Sequence, residues 1–545
     1  MRRNRTKRRG VETDRWMLTL SVHFDAFCNA PLAYLTVIWW WLLGKRLRAR
    51  GQLAPLLSQS PRSYALWALQ QDREDDTSDA EAWPPILAVI DVRAGQDGLA
   101  ATICSLSAQF VPALLVGTDA APTLIDAAST VDWSDDQWLM PMAPGDIISP
   151  GGIRAYRNAI TAAGSTEKAS RIIYADDDLL DKRGRRHSPH FKPDWNSELF
   201  RHFDYLTGSC IIRTSLRDLR LLKNDNAPDW PHQLVAHAAS QSTPLHLRSM
   251  LHHRLTRPIP RDPAEPAAMI HDLPLVTIII PTRNHVELLR TCMDGVAATT
   301  YPNLEVIVVD NDSNDPETLA YLERLNPLHT RVLRYTGPFN YSAINNHAAQ
   351  EARGEFLCLL NNDIEIIETS WLAIMVVQAQ RDDVGAVGAR LLYPDGRIQH
   401  AGVVIGVGNA AGHAHRFLDP DEEGYFRRHA LPQFTTAVTA ACLVVQKERF
   451  LAVGGLDELN FPVAFNDVDL CLRLNQRGWQ SFFEPRATLI HHESVSRGTD
   501  KDPIGAARFA QELAALQRLW QTDAIVDRYH HPQLSRASER FAVAL

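Results

Sequence analysis

The chain has 545 residues, too many for a single hydrophobic core, so we expect two or more domains. Its apolar content of 45% and charged content of 22% are ordinary for a globular protein, and its net charge of −8 gives no reason to expect nucleic-acid binding. Seven cysteines without CxxC pairs argue against a disulfide framework or a structural zinc site, and they fit a reducing compartment.

The N-terminal segment, residues 1–80, is basic and partly apolar. The first ten residues, MRRNRTKRRG, and residues 45–50 are basic, whereas residues 31–44 are apolar and contain three consecutive tryptophans. This apolar run is shorter than the roughly 20 residues that cross a bilayer. Two interpretations stay open: a helix lying in the interface of an anionic membrane, or a hydrophobic helix packed on a domain. The acidic residues 70–82 predict a linker.

Residues 81–258 alternate between predicted strands and a predicted helix. ILAVID (86–91) and ALLVGTD (113–119) are typical of buried strands, and ATICSLSAQF (101–110) between them is typical of a helix. Such alternation predicts a parallel sheet covered by helices on both faces. Five prolines within residues 257–274 then predict a domain boundary.

Residues 274–530 repeat this pattern more clearly. The predicted strands are VTIIIPTRN (276–284), LEVIVVDNDS (304–313), RVLRY (331–335) and GEFLCLLNND (354–363), and helical spacing follows at 286–296, 340–352 and 506–520. The predicted fold class is therefore α/β, with two tandem Rossmann-like domains of mostly parallel sheet after an N-terminal helical segment.

Polar side chains follow three of these strands. They are Thr282, Arg283 and Asn284; Asp310, Asn311 and Asp312; and Asn361, Asn362 and Asp363. One such cluster alone is typical of a turn, but ligands bind outside the carboxyl ends of parallel strands, so three successive clusters favour one shared crevice. Carboxylates and amides can there coordinate a hard divalent cation and hydrogen-bond a ribose or base. The chain has no GxGxxG or GxxxxGKS/T phosphate loop, which disfavours a dehydrogenase or a kinase.

Six segments of this half resemble family-2 glycosyltransferases. They are VTIIIPTRN, TYPNLEVIVVDNDS, ARGEFLCLLNND, LVVQKERFLAVGGLDE, FNDVDLCLRLNQRGW and ATLIHHESVSRG. Within that family they are most similar to the rhamnosyltransferase-like branch of polysaccharide assembly. The resemblance implies GT-A-like domains and inverting transfer of a hexose or deoxyhexose from a nucleotide-diphosphate sugar. It also implies a glycan or lipid-linked acceptor and a divalent metal, Mg²⁺ or Mn²⁺.

The same resemblance implies which residues bind the donor. Thr282 and Asn284 would flank the nucleotide, Asp310 would contact its base or ribose, and Arg353 would lie near the diphosphate. The complete predicted set is Thr282, Asn284, Asp310, Asp312, Arg353 and Asn362.

It further implies a metal site and a general base. Asn361 and Asp363 occupy the Asp-x-Asp position, where the amide carries less charge, so we expect weaker metal binding. One histidine of the pair His491 and His492, of which His491 is favoured, would complete the metal site or contact the diphosphate. Asp467 would take the proton from the acceptor hydroxyl, and Asn466 stands before it where the family has a glutamate.

Acceptor contacts are predicted with less support. Asp469 either helps to set the charge of the base or forms an i,i+4 salt bridge with Arg473, and both interpretations stay open. His400 and His413 lie in the segment that covers acceptor sites in this family, so each is a candidate contact, as is Asn466.

The first domain resembles the family only in part. RIIYADDDLLDKRGRRHSPHFKPDWNSELF (171–200) is similar to the middle of the first domain in tandem family-2 transferases. Where the metal motif should stand, WLMPMAPGD (138–146) keeps only Asp146 as a carboxylate, and Asp229 is a poor substitute for the base. The three carboxylates at 176–178 do not replace the missing ligands. We therefore expect a scaffold, an acceptor-binding surface or a docking module.

The leading hypothesis is one active site in the second domain, acting in cell-surface polysaccharide assembly. A bifunctional tandem transferase is one alternative. A non-catalytic carbohydrate-binding or assembly subunit is another, because Asn361 and Asn466 replace carboxylates. Since nucleotide sugars are made in the cytosol, we expect a cytoplasmic protein in peripheral contact with the inner face of a bacterial plasma membrane, with no nucleic-acid partner.

Overall fold

The computed structural model describes residues 2–71, 85–133, 136–164, 169–222, 228–264, 273–325, 330–492 and 503–545. The linker predicted at 70–82 lies almost entirely outside the described residues, as does the second half of the motif ATLIHHESVSRG. The α/β fold class is confirmed: N-terminal helices precede two large sheets, each with helices packed on it.

Four helices form the N-terminal segment: α1 (Arg2–Asn29), α2 (Pro31–Leu42), α3 (Arg46–Ser58) and α4 (Ser63–Gln71). Pro31 begins α2, where its missing N–H leaves no hydrogen bond unmade. Asp25 ties α1 to the start of α4, because its carboxylate accepts hydrogen bonds from Ser60 Oγ and Arg62 Nη1, each at 2.6 Å. Among the described helices, none combines the length and the apolar content that crossing a bilayer requires.

The first domain is built on an eight-stranded sheet of order β2-β1-β3-β7-β5-β8-β4, with β6 paired to β5. Its strands are β1 (Ile86–Asp91), β2 (Ala113–Val116), β3 (Gln137–Met142), β4 (Ile147–Ile148), β5 (Ile172–Leu180), β6 (Arg186–His190), β7 (Cys210–Thr214) and β8 (Leu245–Arg254). Its helices are α5 (Leu99–Ser107), α6 (Leu124–Ala128), α7 (Gly152–Ala163), α8 (Ser197–His202), α9 (Leu216–Arg220) and α10 (Trp230–Gln241).

The second domain is built on a ten-stranded sheet. Its strands are β9 (Val276–Thr282), β10 (Leu304–Asp310), β11 (Thr330–Arg334), β12 (Phe356–Leu360), β13 (Ile364–Ile366), β14 (Val384–Leu392), β15 (Ile398–His400), β18 (Gln433–Thr435), β19 (Cys442–Gln446) and β20 (Gln480–His491), and β16 (Val403–Ile405) and β17 (Ala411–His413) pair separately. Its helices are α11 (Val286–Ala297), α12 (Pro316–Arg324), α13 (Tyr341–Glu351), α14 (Trp371–Ala379), α15 (Lys447–Ala452), α16 (Asn466–Gln476) and α17 (Pro503–Trp520). The strand order is β11-β10-β9-β12-β19-β14-β20-β13.

The two sheets follow one plan. From β2 to β4 the six successive pairings are parallel, parallel, antiparallel, antiparallel, parallel and antiparallel. The pairings from β10 to β13 run in the same sequence of directions, and β11 is added at the edge. Both sheets are therefore mixed to a greater extent than the sequence pattern indicated. Antiparallel β7 and β19 lie in the middle of their sheets and are buried, so an unbroken apolar run does not reveal strand direction.

Apolar side chains cover both faces of the second sheet. Ile278 and Ile280 belong to one core, whereas Ile279 and Ile307 belong to the core on the opposite face. Successive side chains of a strand point to opposite faces, so a strand covered on both sides must be apolar throughout. This explains the run VTIIIP in β9 and leaves the polar residues at the carboxyl ends of the strands.

The C-terminal tail, residues 521–545, ties the domains together. Nε2 of His531 lies 3.0 Å from Oδ2 of Asp176 in the first domain, and both residues are buried. Gln533 Oε1 accepts a hydrogen bond from Trp67 Nε1 of α4 at 3.0 Å. The tail thus contacts the N-terminal helices and the first sheet although it follows the second domain in sequence.

Candidate functional site

The loops after β9 and β10 form a pocket of about 440 Å³ at the carboxyl ends of the parallel strands. Thr282, Asn284 and Asn362 line it, and Asn362 Nδ2 donates to Thr282 Oγ1 at 3.1 Å. Three of the predicted donor-binding residues therefore share one pocket. Tyr341 and Asn361 lie at its border with a second cavity.

Asp310 and Asp312 shape the loops beside this pocket. Asp310 is buried, and its Oδ1 accepts a hydrogen bond from the Ser313 N–H at 3.0 Å. Asp312 Oδ2 accepts one from the Gly337 N–H at 3.2 Å. Asn311 between them lines the pocket, as expected for a polar residue at this strand end, although the predicted donor-binding set does not include it.

Asn284 joins the two loops. Its Oδ1 accepts hydrogen bonds from the N–H groups of Asn314 at 2.9 Å and Asp315 at 3.0 Å. Its backbone lies in the left-handed region at φ 54°, which asparagine tolerates better than most residues. Its oxygen is therefore committed to holding the pocket wall.

The three predicted metal ligands lie together. His491 Nε2 is 3.1 Å from Asp363 Oδ1 and 3.4 Å from Asn361 Nδ2. They come from distant parts of the chain: Asp363 precedes β13, and His491 ends β20. They meet because β13 and β20 pair, with Ile364 opposite His491.

Gln399 orients His491. Its Oε1 lies 2.7 Å from His491 Nδ1. In the tautomer with the proton on Nδ1, His491 donates to Gln399, and its Nε2 lone pair is available to a metal held beside Asp363. Metal-binding histidines are commonly fixed in this way, by a hydrogen bond from the nitrogen that does not bind the metal. Sequence reasoning missed Gln399, because it lies 92 residues away from His491.

Asp467 lies in a second cavity of about 470 Å³ that also contains Asn361, Asp363 and His491. It stands in the first turn of α16, where Oδ2 accepts from the Ala440 N–H at 3.0 Å and Oδ1 accepts from the Val468 N–H at 2.8 Å. These two bonds fix the carboxylate at the wall of the cavity. A carboxylate and a metal-type cluster thus line the same space.

His413 lines this cavity, and His400 supports it from behind. The Gly402 N–H donates to His400 Nε2 at 3.3 Å, so His400 Nδ1 carries the proton and donates to His413 Nδ1 at 2.8 Å. His413 must then carry its proton on Nε2. Burial, with His413 and His491 nearby, lowers the pKa of His400 well below its usual value, so His400 stays neutral.

Glu512 of α17 holds the loop before Asp467. This buried carboxylate accepts hydrogen bonds from the N–H groups of Val463 at 2.7 Å and Ala464 at 3.0 Å. Asn466, which follows that loop, is also buried, and its Nδ2 donates to Val463 O at 2.9 Å. Asn466 lines the cavity, but its amide group serves the loop.

The structure does not place Arg353 near the donor pocket, contrary to the sequence prediction. It lies before β12, and its Nε is 3.3 Å from Glu305 Oε1 at the start of β10. This is the amino edge of the sheet, about 15 Å from the carboxyl edge for a strand of this length. Arg353 is therefore too distant to contact a donor diphosphate in the pocket.

Asp469 and Arg473 form the i,i+4 salt bridge that was one of the two interpretations of Asp469. Arg473 Nε donates to Asp469 Oδ2 at 2.8 Å, and Trp520 Nε1 donates to Asp469 Oδ1 at 2.9 Å. Neither residue lines the cavity, and the same is true of His400. All three support the fold around the site, and their contact with an acceptor stays a prediction.

The first domain has charged side chains in the corresponding place. Asp146 precedes β4 as Asp363 precedes β13, and β4 pairs with β8 at His253 as β13 pairs with β20 at His491. Arg254 Nε lies 3.5 Å from Asp146 Oδ2. A guanidinium group thus stands beside the carboxylate that corresponds to a predicted metal ligand.

The three carboxylates at 176–178 are also paired. Lys192 Nζ lies 2.8 Å from Asp177 Oδ2, and both side chains are buried. Asp178 accepts from Tyr64 Oη at 2.5 Å, and Asp176 contacts His246 and His531. Burial raises the pKa of Asp177, but Lys192 and two arginines outweigh it and hold that pKa well below its usual value.

Comparison with known proteins finds similarity to one family within the second domain. Residues 277–422 match the family described as Glycosyl transferase family 2. An uncharacterized protein of Sinorhizobium fredii is 38% identical over 69% of this chain and 46% of its own length. The O-antigen biosynthesis protein RfbC of Myxococcus xanthus is 36% identical over 61% of this chain and 29% of its own length. The chain thus spans less than half the length of these two relatives.

Two further similarities are weaker. An N-acetylglucosaminyl-diphospho-decaprenol L-rhamnosyltransferase of Mycobacterium tuberculosis is 27% identical over 42% of this chain and 78% of its own length. A mannosyltransferase from Pyrobaculum calidifontis, solved with GDP-Man and Mn²⁺, is 20% identical over 49% of this chain and 71% of its own, with a TM-score of 0.35. Similarity at that TM-score does not bear on substrate or metal.

Proposed function

We propose that the second domain, a family-2 glycosyltransferase domain, transfers a hexose or deoxyhexose from a nucleotide-diphosphate sugar to a glycan or lipid-linked acceptor, with inversion. The observation that carries this proposal is the position of Asp467. It faces the same cavity as Asp363 and His491, and that cavity adjoins a pocket at the carboxyl ends of the parallel strands.

A divalent metal fits the donor atoms at the cluster. Asp363 supplies a carboxylate, His491 would supply a lone pair at Nε2 when its Nδ1–H donates to Gln399 Oε1, and Asn361 can supply an amide oxygen. When bound, Mg²⁺ or Mn²⁺ would stabilise negative charge on the departing nucleoside diphosphate. The amide of Asn361 contributes less charge than a carboxylate, so we expect modest affinity.

The two cavities suit two substrates. The nucleotide would lie in the pocket lined by Thr282, Asn311 and Asn362, whose hydroxyl and amide groups can bind a base or a ribose. The transferred sugar would cross the border at Tyr341 and Asn361 into the second cavity.

The acceptor reacts in the second cavity. Asp467 would accept the proton of its hydroxyl group as that oxygen attacks the anomeric carbon. His413 would donate a hydrogen bond from Nε2, because its Nδ1 is engaged by His400. Attack from the side opposite the leaving group gives inversion.

The likeness of RfbC and of the mycobacterial enzyme supports a role in cell-surface polysaccharide assembly and makes rhamnose the first donor sugar to test. The buried carboxylates of the first domain are paired with cationic side chains, which favours one active site over two. The competing function is a non-catalytic carbohydrate-binding subunit, and the amides of Asn361 and Asn466 are the observation in its favour.

The N-terminal helices support a peripheral contact with the inner face of a bacterial plasma membrane. Large apolar side chains of α1 and α2 are exposed, among them Trp39 and Trp41, each at 60%. Exposed Lys45 and Arg46 follow directly, so the surface joins apolar and cationic groups as an interfacial helix does.

Donor hydrolysis tests the proposed function. The protein is incubated with a panel of nucleotide sugars and Mg²⁺ or Mn²⁺, and released nucleoside diphosphate is measured. We expect release from one donor, a loss of at least tenfold in Asp363→Ala, and no loss in Asp146→Asn. If no donor binds or turns over with either metal, the carbohydrate-binding function replaces this one.

A further inference from the structure

Helices α1 and α2 expose two apolar stripes. Large apolar residues on α1 recur at helical spacing and are 40–71% exposed, and those on α2 are 42–81% exposed. They include Trp16, Leu20 and Phe24 on α1 and Leu32, Leu35 and Trp39 on α2. Many large apolar side chains exposed on two helices indicate a surface that contacts a partner or a lipid.

A groove of about 1010 Å³ separates α3 from the second domain. Three arginines line it: Arg48 from α3, and Arg416 and Arg540 from the opposite wall. Glu539 also lines it, so the cationic groups outnumber the anionic ones. Arg48 lies 5.5 Å above the Trp40 ring, so the cationic groove begins beside the apolar helix α2.

This groove is continuous with the cavity that contains Asp467. Both are lined by Gly412, His413, Phe465 and Phe509. Phe465 lies one residue before the start of α16, and its ring centroid is 5.4 Å from that of Phe509. A molecule lying in the groove can therefore extend past these two rings toward Asp467.

We propose that this groove binds the phosphate-bearing head of a polyprenyl-type lipid acceptor, while the hydrocarbon chain lies against the exposed stripes of α1 and α2. The arrangement places an apolar surface, a cationic groove and Asp467 in the order in which hydrocarbon, phosphate and sugar follow one another in such a molecule. Guanidinium groups suit phosphate because they present paired N–H donors. This inference rests on the proposed function, since it names the acceptor of the same site.

Binding of farnesyl diphosphate is the direct test. Titration calorimetry with the full chain is done in EDTA, so that the metal-dependent donor site does not take up the diphosphate, and inorganic diphosphate and farnesol serve as separate probes. We expect farnesyl diphosphate to bind at least tenfold more tightly than either probe. Equal affinity for inorganic diphosphate would overturn the proposal, because it would reveal an anion site that does not recognise lipid.

The matched variants are Arg48→Gln with Arg540→Gln, and Arg50→Gln as the control. Arg50 is exposed on the same helix as Arg48 but does not line the groove. We expect the double variant to lose at least tenfold in affinity for farnesyl diphosphate and the control to keep it. Equal affinity in the double variant would overturn the proposal.

Donor hydrolysis separates this inference from the proposed function. It needs no acceptor, so the double variant should release nucleoside diphosphate at the wild-type rate. Normal hydrolysis with no farnesyl diphosphate binding would overturn the groove alone, whereas binding without hydrolysis in the wild type would overturn the proposed function alone. Sedimentation showing a stable dimer that farnesyl diphosphate does not dissociate would also overturn the groove, because a second copy would then cover the stripes.

Discussion

At the corner where β12 leads into β13, the second domain holds Asp363 next to His491, with two cavities of about 440 and 470 Å³ nearby. At the corresponding corner of the first domain, where β3 leads into β4, Asp146 lies next to Arg254. The strand order and pairing directions are the same around both corners. One backbone plan therefore supports either an open cluster of ligand atoms or a closed ion pair, and the side chains decide between them.

The difference also separates two uses of buried charge. In the first domain, Lys192, Arg254 and Arg257 neutralise Asp177 from within the chain, so the charges contribute to cohesion. In the second domain, Asp363 and Asp467 are held at cavity walls, where a ligand can reach them. A family motif alone therefore does not identify a site, since the partners of each carboxylate must be known.

Replacing Asp467 should have the largest effect. Asp467→Asn removes the proposed base and should lower transfer by about 10²- to 10⁴-fold. Donor binding should be unchanged, because Asp467 does not line the donor pocket. The control is Asp229→Asn at the start of α10, the corresponding helix of the first domain. Steady-state transfer assays decide the matter, and comparable losses in both variants would mean that the two domains are not chemically distinct.

Lys192→Met tests the cohesion of the first domain. Removing this buried cation leaves Asp177 with less compensation, so unfolding free energy should fall by about 3–5 kcal/mol. Arg185→Met removes an exposed ion pair with Asp181 and should leave the unfolding free energy nearly unchanged. Denaturant titration measures both. Folded Lys192→Met protein should keep its donor hydrolysis, and loss of hydrolysis without loss of stability would assign chemistry to the first domain.

Gln399→Leu tests whether Gln399 orients His491 in the proposed metal cluster of the second domain. Without Gln399 Oε1, His491 is no longer held with its Nε2 lone pair toward Asp363, so Mn²⁺ affinity should fall by about 10- to 100-fold. Electron paramagnetic resonance titration of free Mn²⁺ measures this. Exposed Gln380, at the end of α14, provides the control Gln380→Leu. Unchanged affinity in Gln399→Leu would remove His491 from the proposed ligands.

The smallest effect is a pH dependence at Asp146. Burial raises its pKa to about 6, with Arg254 opposing, so ionisation in the folded protein increasingly costs stability as pH rises from about 4 to 6. Asp146→Asn removes this cost, and its stability relative to wild type should rise across that window by about 1–3 kcal/mol and then level off. Denaturant titrations from pH 4 to 7 measure it. A relative stability that falls over the same range would contradict the assigned direction.

Local pattern predicted much of the fold. The apolar run at 86–91 is β1 as predicted, and the run VTIIIPTRN contains β9. Strand ends also predicted the metal-type cluster, since Asn361 and Asp363 had to lie at a carboxyl edge. The position of Arg353 was also predictable from local pattern, because a residue that precedes a strand lies at the amino end of that strand.

Other features depend on contacts between distant residues. Gln399 reaches His491 only because β15 pairs with β14, and β14 pairs with β20. Arg254 beside Asp146 and Glu512 below the loop of Asp467 are equally non-local. No periodicity within a segment encodes such contacts, so the sequence predicted chemistry at strand ends but not the residues that orient it.

The contact between His531 and Asp176 has a consequence for biosynthesis. Asp176 leaves the ribosome 355 residues before His531 does. At about 5–20 residues per second, this interval lasts roughly 20–70 s. During that time the first sheet carries a carboxylate destined for burial without one of its two histidine partners. The first domain therefore cannot complete its native contacts on its own as it is made, and its final closure waits for the tail.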